Sequence, residues 1–209
     1  MARKQGRRKT SKDKKISLLV IAEGQTEINY IKGFFAKHSV LLKKYNIDYV
    51  GKKCNAIKVV EFIRAVEYKY EYIFAFVDRD PATNTAETYN NFCMISESIQ
   101  HVCPAPSNPC YEVWLNLHDE YSTSPMDADK LYRIINKRFG NKYKSDEYIF
   151  EKLENKVENA LSNAESLAKH WEEIGFDAAY SEMNPNTMVH HIIKKIIELD
   201  EKLQKDESS

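Results

Sequence analysis

The fold of this chain is decided by the stretch Tyr72-Ile-Phe-Ala-Phe-Val-Asp78-Arg-Asp80. An uncharged aromatic and aliphatic run of this length predicts a strand that is buried on both faces of an α/β sheet. In such sheets ligands bind beyond the carboxyl ends of the strands, which is where Asp78 and Asp80 follow. Two carboxylates so close together repel each other unless a cation lies between them, and a hard divalent cation suits carboxylate oxygens. The stretch therefore predicts a metal site.

A second strand with the same ending comes earlier in the chain. It is the run Ile16-Ser-Leu-Leu-Val-Ile-Ala22, and it is followed by Glu23-Gly24-Gln-Thr-Glu27. A glycine after a strand allows a tight turn and a close approach of a ligand to the backbone. The alternative is that Glu23 and Glu27 are ordinary acids in the first turn of a helix. Together the two strands predict one metal site that contains Glu23, Asp78 and Asp80.

The order of the remaining patterns predicts the fold class. Helical spacing over residues 26–44, 55–69 and 85–97 alternates with strand-like runs near 47–50 and 98–103. This alternation predicts a mostly parallel α/β sheet flanked by helices, with a mainly helical second half packed on it. We expect a flexible basic arm over residues 1–15 and a single domain over 16–204. Within that domain, residues 16–104 form the α/β core and 105–204 the mainly helical part.

The distribution of charge and of cysteines indicates the binding partners and the compartment of the protein. Lys and Arg number 31, as do Asp and Glu, but residues 1–15 contain eight Lys or Arg and one Asp. Such an arm is typical of segments that bind a polyanion, with Arg7, Arg8, Lys9 and Lys12 as the contacts, or it is a solvated tail. The four cysteines show no zinc spacing and fit a reduced, cytoplasmic protein. No apolar run is long enough to cross a membrane.

Two Asn-Pro dipeptides indicate further candidate residues. Asn108 and Pro109 predict the cap and first turn of a helix that carries Glu112 and His118. Glu112 is either a capping acid or a site residue, and His118 is either a packed residue or a group that steadies a phosphate. A second helix start at residues 184–187 places His190 in the first turn, where it is either structural or faces a substrate phosphate.

The Asp-x-Asp signal also occurs in haloacid-dehalogenase phosphatases and in metal-dependent glycosyltransferases. The former require a different continuation from Pro81-Ala82, and the latter seldom pair the signal with a preceding strand that ends in Glu-Gly. A strand with Glu23-Gly24 followed by a strand with Asp78-x-Asp80 resembles the Toprim fold of topoisomerases, bacterial primases and OLD-type nucleases.

Three further segments make the resemblance more specific, and they are similar to signatures of the RloB-like family. They are Glu23-Gly-Gln-Thr-Glu27-Ile-Asn-Tyr-Ile-Lys-Gly, Asn108-Pro-Cys-Tyr-Glu112-Val-Trp-Leu-Asn-Leu-His118 and Asn184-Pro-Asn-Thr-Met-Val-His190. That family is a small Toprim-type group found near prokaryotic restriction and phage-defence genes. The resemblance covers nearly the whole chain after the basic arm.

The resemblance implies roles for the candidate residues. Glu23 would act in proton transfer or metal ligation, and Asp78 and Asp80 would bind Mg²⁺, with Mn²⁺ as a substitute. Glu27 and Glu112 are the candidates for ligands of a second metal. Magnesium suits such a cluster because it prefers a few carboxylates, several waters and substrate phosphate oxygens.

The resulting hypothesis is a Mg²⁺-dependent nuclease that hydrolyses phosphodiester bonds in DNA or RNA in phage defence. One alternative is a non-catalytic module that binds nucleic acid or a partner protein, and another is a nucleotidyl or phosphoryl transferase. A third is an effector that needs a separate ATPase partner, since the chain has no Gly-rich Walker loop of its own.

Overall fold

The computed structural model describes residues 15–51, 55–174 and 179–207. Arg7, Arg8, Lys9 and Lys12, the predicted contacts of the basic arm, lie outside these ranges. The described chain is an α/β structure built on a five-stranded sheet in the order β2-β1-β3-β4-β5. The strands are β1 (Ile16–Ala22), β2 (Tyr45–Gly51), β3 (Tyr72–Asp78), β4 (Val102–Asn108) and β5 (Asn186–Thr187). Strands β1 to β4 are parallel, and β5 is antiparallel to β4.

Helices cover both faces of the sheet. They are α1 (Gln25–Lys37), α2 (Ser39–Lys44), α3 (Ala56–Val66), α4 (Ala86–Cys93), α5 (Ile95–Ser98), α6 (Glu112–Leu117), α7 (Ala128–Phe139), α8 (Val157–Glu173) and α9 (Val189–Glu207). Short 3-10 helices lie at Glu67–Lys69, Tyr143–Ser145 and Glu154–Lys156. The mostly parallel sheet and the helical second half confirm the predicted fold class. None of the helices in the described ranges is long and apolar enough to cross a membrane.

Strand β3 is buried on both faces, as its uncharged sequence predicts. Successive side chains of a strand point to opposite faces, so Phe74 and Phe76 pack into one core layer while Ile73 and Val77 pack into the other. The first layer lies under α1 and α6 to α9, and the second lies under α3, α4 and α5. Both layers hold β3 in place, and this fixes the position of the acids that follow it.

Helix α3 begins where the helical spacing predicts. Asn55 caps it, because its side-chain oxygen accepts a hydrogen bond from the Lys58 backbone N–H at 3.3 Å. Its buried residues are Ala56, Val59 and Ile63, with Val60 and Val66 packed against the same core, while Ile57 is 46% exposed. The spacing of apolar residues predicts the helix, but it does not by itself show which of them lie on the buried face.

Strand β4 corrects the predicted fourth strand at 98–103. It lies at Val102–Asn108 and contains Pro104 and Pro106. The backbone carbonyls of His101 and Ser107 accept hydrogen bonds from Ile73 in β3 and from Arg79 just after it, so the backbone groups of the odd-numbered residues face β3. The two prolines are even-numbered, and their missing N–H groups fall on the side away from β3. Proline therefore costs this strand no hydrogen bond to β3.

Both predicted Asn-Pro helix starts are also corrected. Asn108 is the last residue of β4, and α6 begins only at Glu112. Asn186 and Thr187 form β5, which pairs with the end of β4, so α9 begins two residues later at Val189. The backbone groups at the outer edge of β4 need hydrogen-bond partners, and a short antiparallel strand supplies them.

Helix α1 passes close to Phe150, and a glycine makes this approach possible. A Cβ atom added at Gly33 would lie 2.6 Å from the Cβ atom of Phe150. Phe150 is buried and packs edge-on against the rings of Tyr30 and Phe34, with centroid distances of 5.4 and 5.5 Å. Neither the helix nor the ring can move away without disturbing this aromatic cluster.

We expect the Gly33→Ala substitution to lower the free energy of unfolding by about 1–3 kcal/mol, the usual cost of overpacking a core. This cost exceeds the gain of up to about 1 kcal/mol that alanine gives inside a helix. Urea unfolding measures the change. Gly51→Ala is the matched control, because the added Cβ would meet only Ile28 Cδ1 at an ordinary 3.5 Å. A Gly33→Ala protein as stable as the control would contradict the packing described.

Candidate functional site

The candidate site lies at the carboxyl ends of β1, β3 and β4. Strands β1 and β3 are parallel neighbours, so the residues that follow them meet at one edge of the sheet. A cavity of about 600 Å³ opens there. Its lining residues are Glu23, Asp78, Asp80, Pro81, Asn108, Pro109, Cys110, Met126, Asp127, Ala128, Tyr132 and Asn184. The structure thus brings together the three acids that the sequence predicts as metal ligands.

Glu23 follows β1 directly and reaches across to β3. Its Oε1 atom accepts a hydrogen bond from the Asp78 backbone N–H at 3.3 Å. Burial raises the pKa of Glu23 to about 7, and the nearby charges of Glu27 and Asp80 act in the same direction. The hydrogen bond from Asp78 opposes this rise in pKa. Glu23 can therefore hold or release a proton near neutral pH.

Asp78 is the last residue of β3. Burial raises its pKa well above the usual range, and the charges of Glu27, Glu23 and Glu112 raise it further. A hydrogen bond from the Tyr111 backbone partly offsets this effect on the pKa. Asp78 therefore occupies a position where negative charge is poorly compensated by the protein.

Asp80 is exposed, and a turn fixes its orientation. Its Oδ1 atom accepts a hydrogen bond from the Ala82 N–H at 3.0 Å, and the Thr83 hydroxyl donates to Oδ2 at 3.2 Å. The backbone N–H groups of Thr83 and Asn84 both donate to the Asp80 carbonyl. The carboxylate is thus held at the cavity by local hydrogen bonds rather than by burial.

Asn84 fastens this turn to the sheet, a role that the sequence did not indicate. It is almost fully buried, its Nδ2 atom donates to the Asp78 carbonyl at 2.8 Å, and its Oδ1 atom accepts from the Ala56 N–H at 2.6 Å. Arg79 donates to the Asn84 carbonyl at 2.7 Å and lies over the Tyr89 ring. Arg79 is absent from the cavity lining, so its charge does not occupy the space between the acids.

Glu27 and Glu112 lie behind the cavity and do not line it. Glu27 is buried, and its Oε1 atom accepts a hydrogen bond from the Gly24 N–H at 3.3 Å. Burial raises the pKa of Glu27 to about 7, and the charge of Glu112 raises it too. A Cβ atom at position 24 would lie 2.8 Å from Glu27 Oε2, so the close approach of this carboxylate favours glycine. The predicted second-metal ligands therefore form a layer behind Asp78.

Glu112 is buried at the start of α6, and the Tyr143–Ser145 turn supplies its partners. The Tyr143 hydroxyl donates to Glu112 Oε1 at 2.5 Å, and Lys144 Nζ lies 3.7 Å from the same oxygen. Lys144 also lowers the pKa of Glu27. This turn thus provides a positive charge beside the buried acids, and neither partner was foreseen from the sequence.

The far wall of the cavity comes from the segment before α7. Asn184 holds this segment, because its side chain donates to the Met126 carbonyl at 2.9 Å and accepts from the Met126 N–H at 3.2 Å. Asp127 caps α7 by accepting a hydrogen bond from the Lys130 N–H at 2.6 Å. Asp before an amphipathic helix is a readable capping signal. That Asp127 faces the cavity depends on a contact across 58 residues, which no local pattern contains.

The two candidate histidines lie away from the cavity. His118 is fully buried, and its Nδ1–H group donates to the Trp114 carbonyl at 3.0 Å while Nε2 accepts from the Tyr30 hydroxyl at 2.9 Å. Burial lowers the pKa of His118 to about 4. His190 is buried in the first turn of α9, and burial lowers its pKa to about 4 as well. Neither ring lines the cavity where the acids converge.

Comparison with known proteins identifies the family. The family model described as RloB-like protein matches residues 18–196. The chain belongs to the RloB-like family. No curated protein and no solved structure matches it. The match spans both the strands that carry the acids and the helices that form the far wall of the cavity, so the RloB-like region contains the complete candidate site.

The donor set of this RloB-like chain fits magnesium in its chemistry. In the described ranges, no three His, Cys, Asp or Glu side chains are close enough together to hold a metal ion directly. Magnesium does not require such a cage, since it keeps several waters and binds through one or two carboxylates plus substrate phosphate. Glu23, Asp78 and Asp80 offer only carboxylate oxygens, and no Lys, Arg or His of the described residues lines the cavity.

The Tyr143 hydroxyl is testable as the partner of Glu112. We expect Tyr143→Phe to lower the free energy of unfolding by about 1–3 kcal/mol, because it leaves a buried acceptor without its donor. Chemical denaturation measures this change. Tyr148→Phe is the control, since Tyr148 is 66% exposed and its loss of a hydroxyl should change stability little. Equal stability of the two variants would show that Glu112 does not depend on this hydrogen bond.

Proposed function

We propose that this RloB-like chain is a Mg²⁺-dependent nuclease of the Toprim type that hydrolyses phosphodiester bonds in DNA or RNA. The observation that supports this most is the convergence of Glu23, Asp78 and Asp80 on one cavity at the carboxyl ends of β1 and β3. Half-buried carboxylates with raised pKa values, in a cavity that no cationic side chain of the described residues lines, match the needs of a cation that itself binds phosphate.

The residues have distinct parts in this proposal. Asp78 and Asp80 hold the cation, with Mn²⁺ able to replace Mg²⁺, and Glu23 lies beside them. A bound divalent cation polarises the scissile phosphate and lowers the pKa of its water. Glu23, whose pKa is about 7, takes a proton from the attacking water or gives one to the leaving oxygen. Glu27 and Glu112, behind the cavity, make the electrostatic potential at Asp78 more negative and so favour a cation there.

The proposed biological setting comes from the family resemblance. RloB-like proteins are found near prokaryotic restriction and phage-defence genes, so we propose a role in antiviral defence in the cytoplasm. The chain has no Walker loop, and a separate ATPase partner would supply any nucleotide-driven control.

A cleavage assay tests the proposed chemistry. Purified protein is incubated with Mg²⁺ or Mn²⁺ and with plasmid, single-stranded DNA or total RNA, and the products are separated on gels. We expect metal-dependent cutting that the Asp78→Asn/Asp80→Asn variant loses by at least a hundredfold, because both proposed cation ligands are neutralised. Glu201→Gln, at an exposed position of α9, is the control and should cut as the unmodified protein does. Cutting that survives the double change, or no cutting with either metal, would count against the proposal.

A stability measurement tests the cation site without relying on activity. Asp78 is repelled by Glu27, Glu23 and Glu112, so we expect Asp78→Asn to raise the thermal midpoint when EDTA removes divalent cations. A gain of 1 kcal/mol moves the midpoint of a chain of this size by about 2–4 °C. Mg²⁺ should then stabilise the unmodified protein but not the variant.

Glu201→Gln is again the control, because it removes one carboxylate outside the cavity. A lower midpoint for Asp78→Asn in EDTA would show that Asp78 stabilises the fold rather than opposing it. Equal Mg²⁺ stabilisation of both proteins would place the cation elsewhere.

A further inference from the structure

One segment next to the cavity is strongly basic. Residues 130–144, which comprise most of α7 and the turn that follows it, contain six Lys or Arg and no Asp or Glu. The whole chain, by contrast, contains 31 residues of each sign. The six cations are Lys130, Arg133, Lys137, Arg138, Lys142 and Lys144. We call this segment the basic segment.

Three of these cations lie on the solvent face of α7 without an acidic partner. Lys130, Arg133 and Lys137 are exposed and follow the i, i+3, i+7 spacing of one helix face. None of them forms an ion pair with an acidic side chain among the residues that the structure describes. Arg138, on another face, is paired with Asp119 at 3.1 Å and with Glu120 at 3.6 Å.

The basic segment adjoins the cavity near its amino-terminal end. Asp127 and Ala128, at the start of α7 just ahead of it, line the cavity, and so does Tyr132 within it. At the other end, Lys144 Nζ lies 3.8 Å from the centroid of the Tyr132 ring. The basic segment therefore adjoins the far wall of the cavity through Tyr132, and Lys144 packs on that same ring.

The cavity itself repels phosphate. Four carboxylates line it, from Glu23, Asp78, Asp80 and Asp127, and no Lys or Arg of the described chain lies among its lining residues. Before a cation binds there, cations outside the cavity can hold a polyanion beside it, and they also raise the local concentration of an anionic substrate. The basic segment is positioned to supply those cations.

We propose that the basic segment holds the phosphates of an unpaired nucleic-acid strand while one nucleotide of that strand enters the acidic cavity. This inference rests on the proposed nuclease function and specifies its substrate class. A cavity of about 600 Å³ is the size that accepts one small ligand. A base that remains stacked and paired in a duplex cannot enter such a space without leaving the stack. Contacts to the phosphates provide affinity without reading sequence.

The test is a binding measurement on the full chain in EDTA, which separates binding from cleavage. Fluorescence anisotropy follows unstructured 20-nucleotide RNA and DNA strands, and the matching duplexes, over a series of salt concentrations. The test variant is Lys130→Gln/Arg133→Gln/Lys137→Gln. The control variant is Lys58→Gln/Arg64→Gln/Lys69→Gln, which removes the same charge from exposed positions on the opposite face of the sheet. A third variant, Lys130→Arg/Arg133→Lys/Lys137→Arg, keeps the charge on α7.

We expect the test variant to bind single strands about ten- to a hundredfold more weakly near 0.1 M salt, and its salt slope to fall by about 2, since each phosphate contact contributes about 0.7. The control and the charge-conserving variants should stay within about twofold of the unmodified protein. Equal losses in the test and control variants, or an unchanged test variant, would overturn the inference. Tighter binding of the duplexes than of the single strands would also overturn it.

Cleavage kinetics keep this inference distinct from the proposed function. If the test variant cuts in a metal-dependent way with an unchanged KM, the proposed nuclease function is supported and the proposed role of the basic segment is overturned. Weaker strand binding by the test variant, in a protein that cuts nothing, would support the basic segment and count against the nuclease. The joint expectation is a KM raised at least tenfold with kcat little changed.

Discussion

Repulsion among carboxylates at the carboxyl ends of β1 and β3 is the constraint around which this structure is built. Glu23, Glu27 and Asp78 all have a raised pKa, because Glu27 is buried, the other two are half-buried, and all three lie near other acids. Such crowding of carboxylates does not stabilise the fold. Groups that lower stability are typically found at functional sites. The crowding persists because two apolar strands, each packed on both faces, deliver the acids to the same edge of the sheet.

The surrounding contacts hold the acids in place without neutralising the cavity. Asn84 fixes the turn that carries Asp80, and Asn184 fixes the wall that carries Asp127. Behind the cavity, the Tyr143 hydroxyl and the Lys144 ammonium group stabilise the Glu112 carboxylate. No Lys, Arg or His of the described residues lines the cavity. In the function that we propose, an external cation occupies the space between Glu23, Asp78 and Asp80. Negative charge thus lines the cavity, and the positive charge of the basic segment lies on the protein surface.

The sequence predicted the parts of the site that local patterns determine. An uncharged run followed by acids was sufficient to place Glu23, Asp78 and Asp80 at one edge, because buried parallel strands leave few other arrangements. The order of strands and helices likewise predicted the fold class. Strand β4 was misplaced because Pro104 and Pro106 are normally read as loop residues, and only the pairing with β3 shows that their missing N–H groups are harmless.

The far wall and the layer behind Asp78 could not be predicted, because they depend on contacts between distant residues. Tyr143 meets Glu112 across 31 residues, and Asn184 meets Met126 across 58. Glu27 and Glu112 were predicted as ligands of a second metal, and their burial behind the cavity follows from the packing of α1 and α6. The spacing of His118 on its helix gave no sign that Tyr30 and Trp114 would occupy both of its ring nitrogens.

The most direct test of this account is a crystal structure of the protein with Mn²⁺, with anomalous diffraction used to locate the metal. The account predicts an anomalous peak between the carboxylates of Asp78 and Asp80, within reach of Glu23, with water filling the remaining coordination positions. A peak elsewhere, or no anomalous peak at these carboxylates, would contradict it.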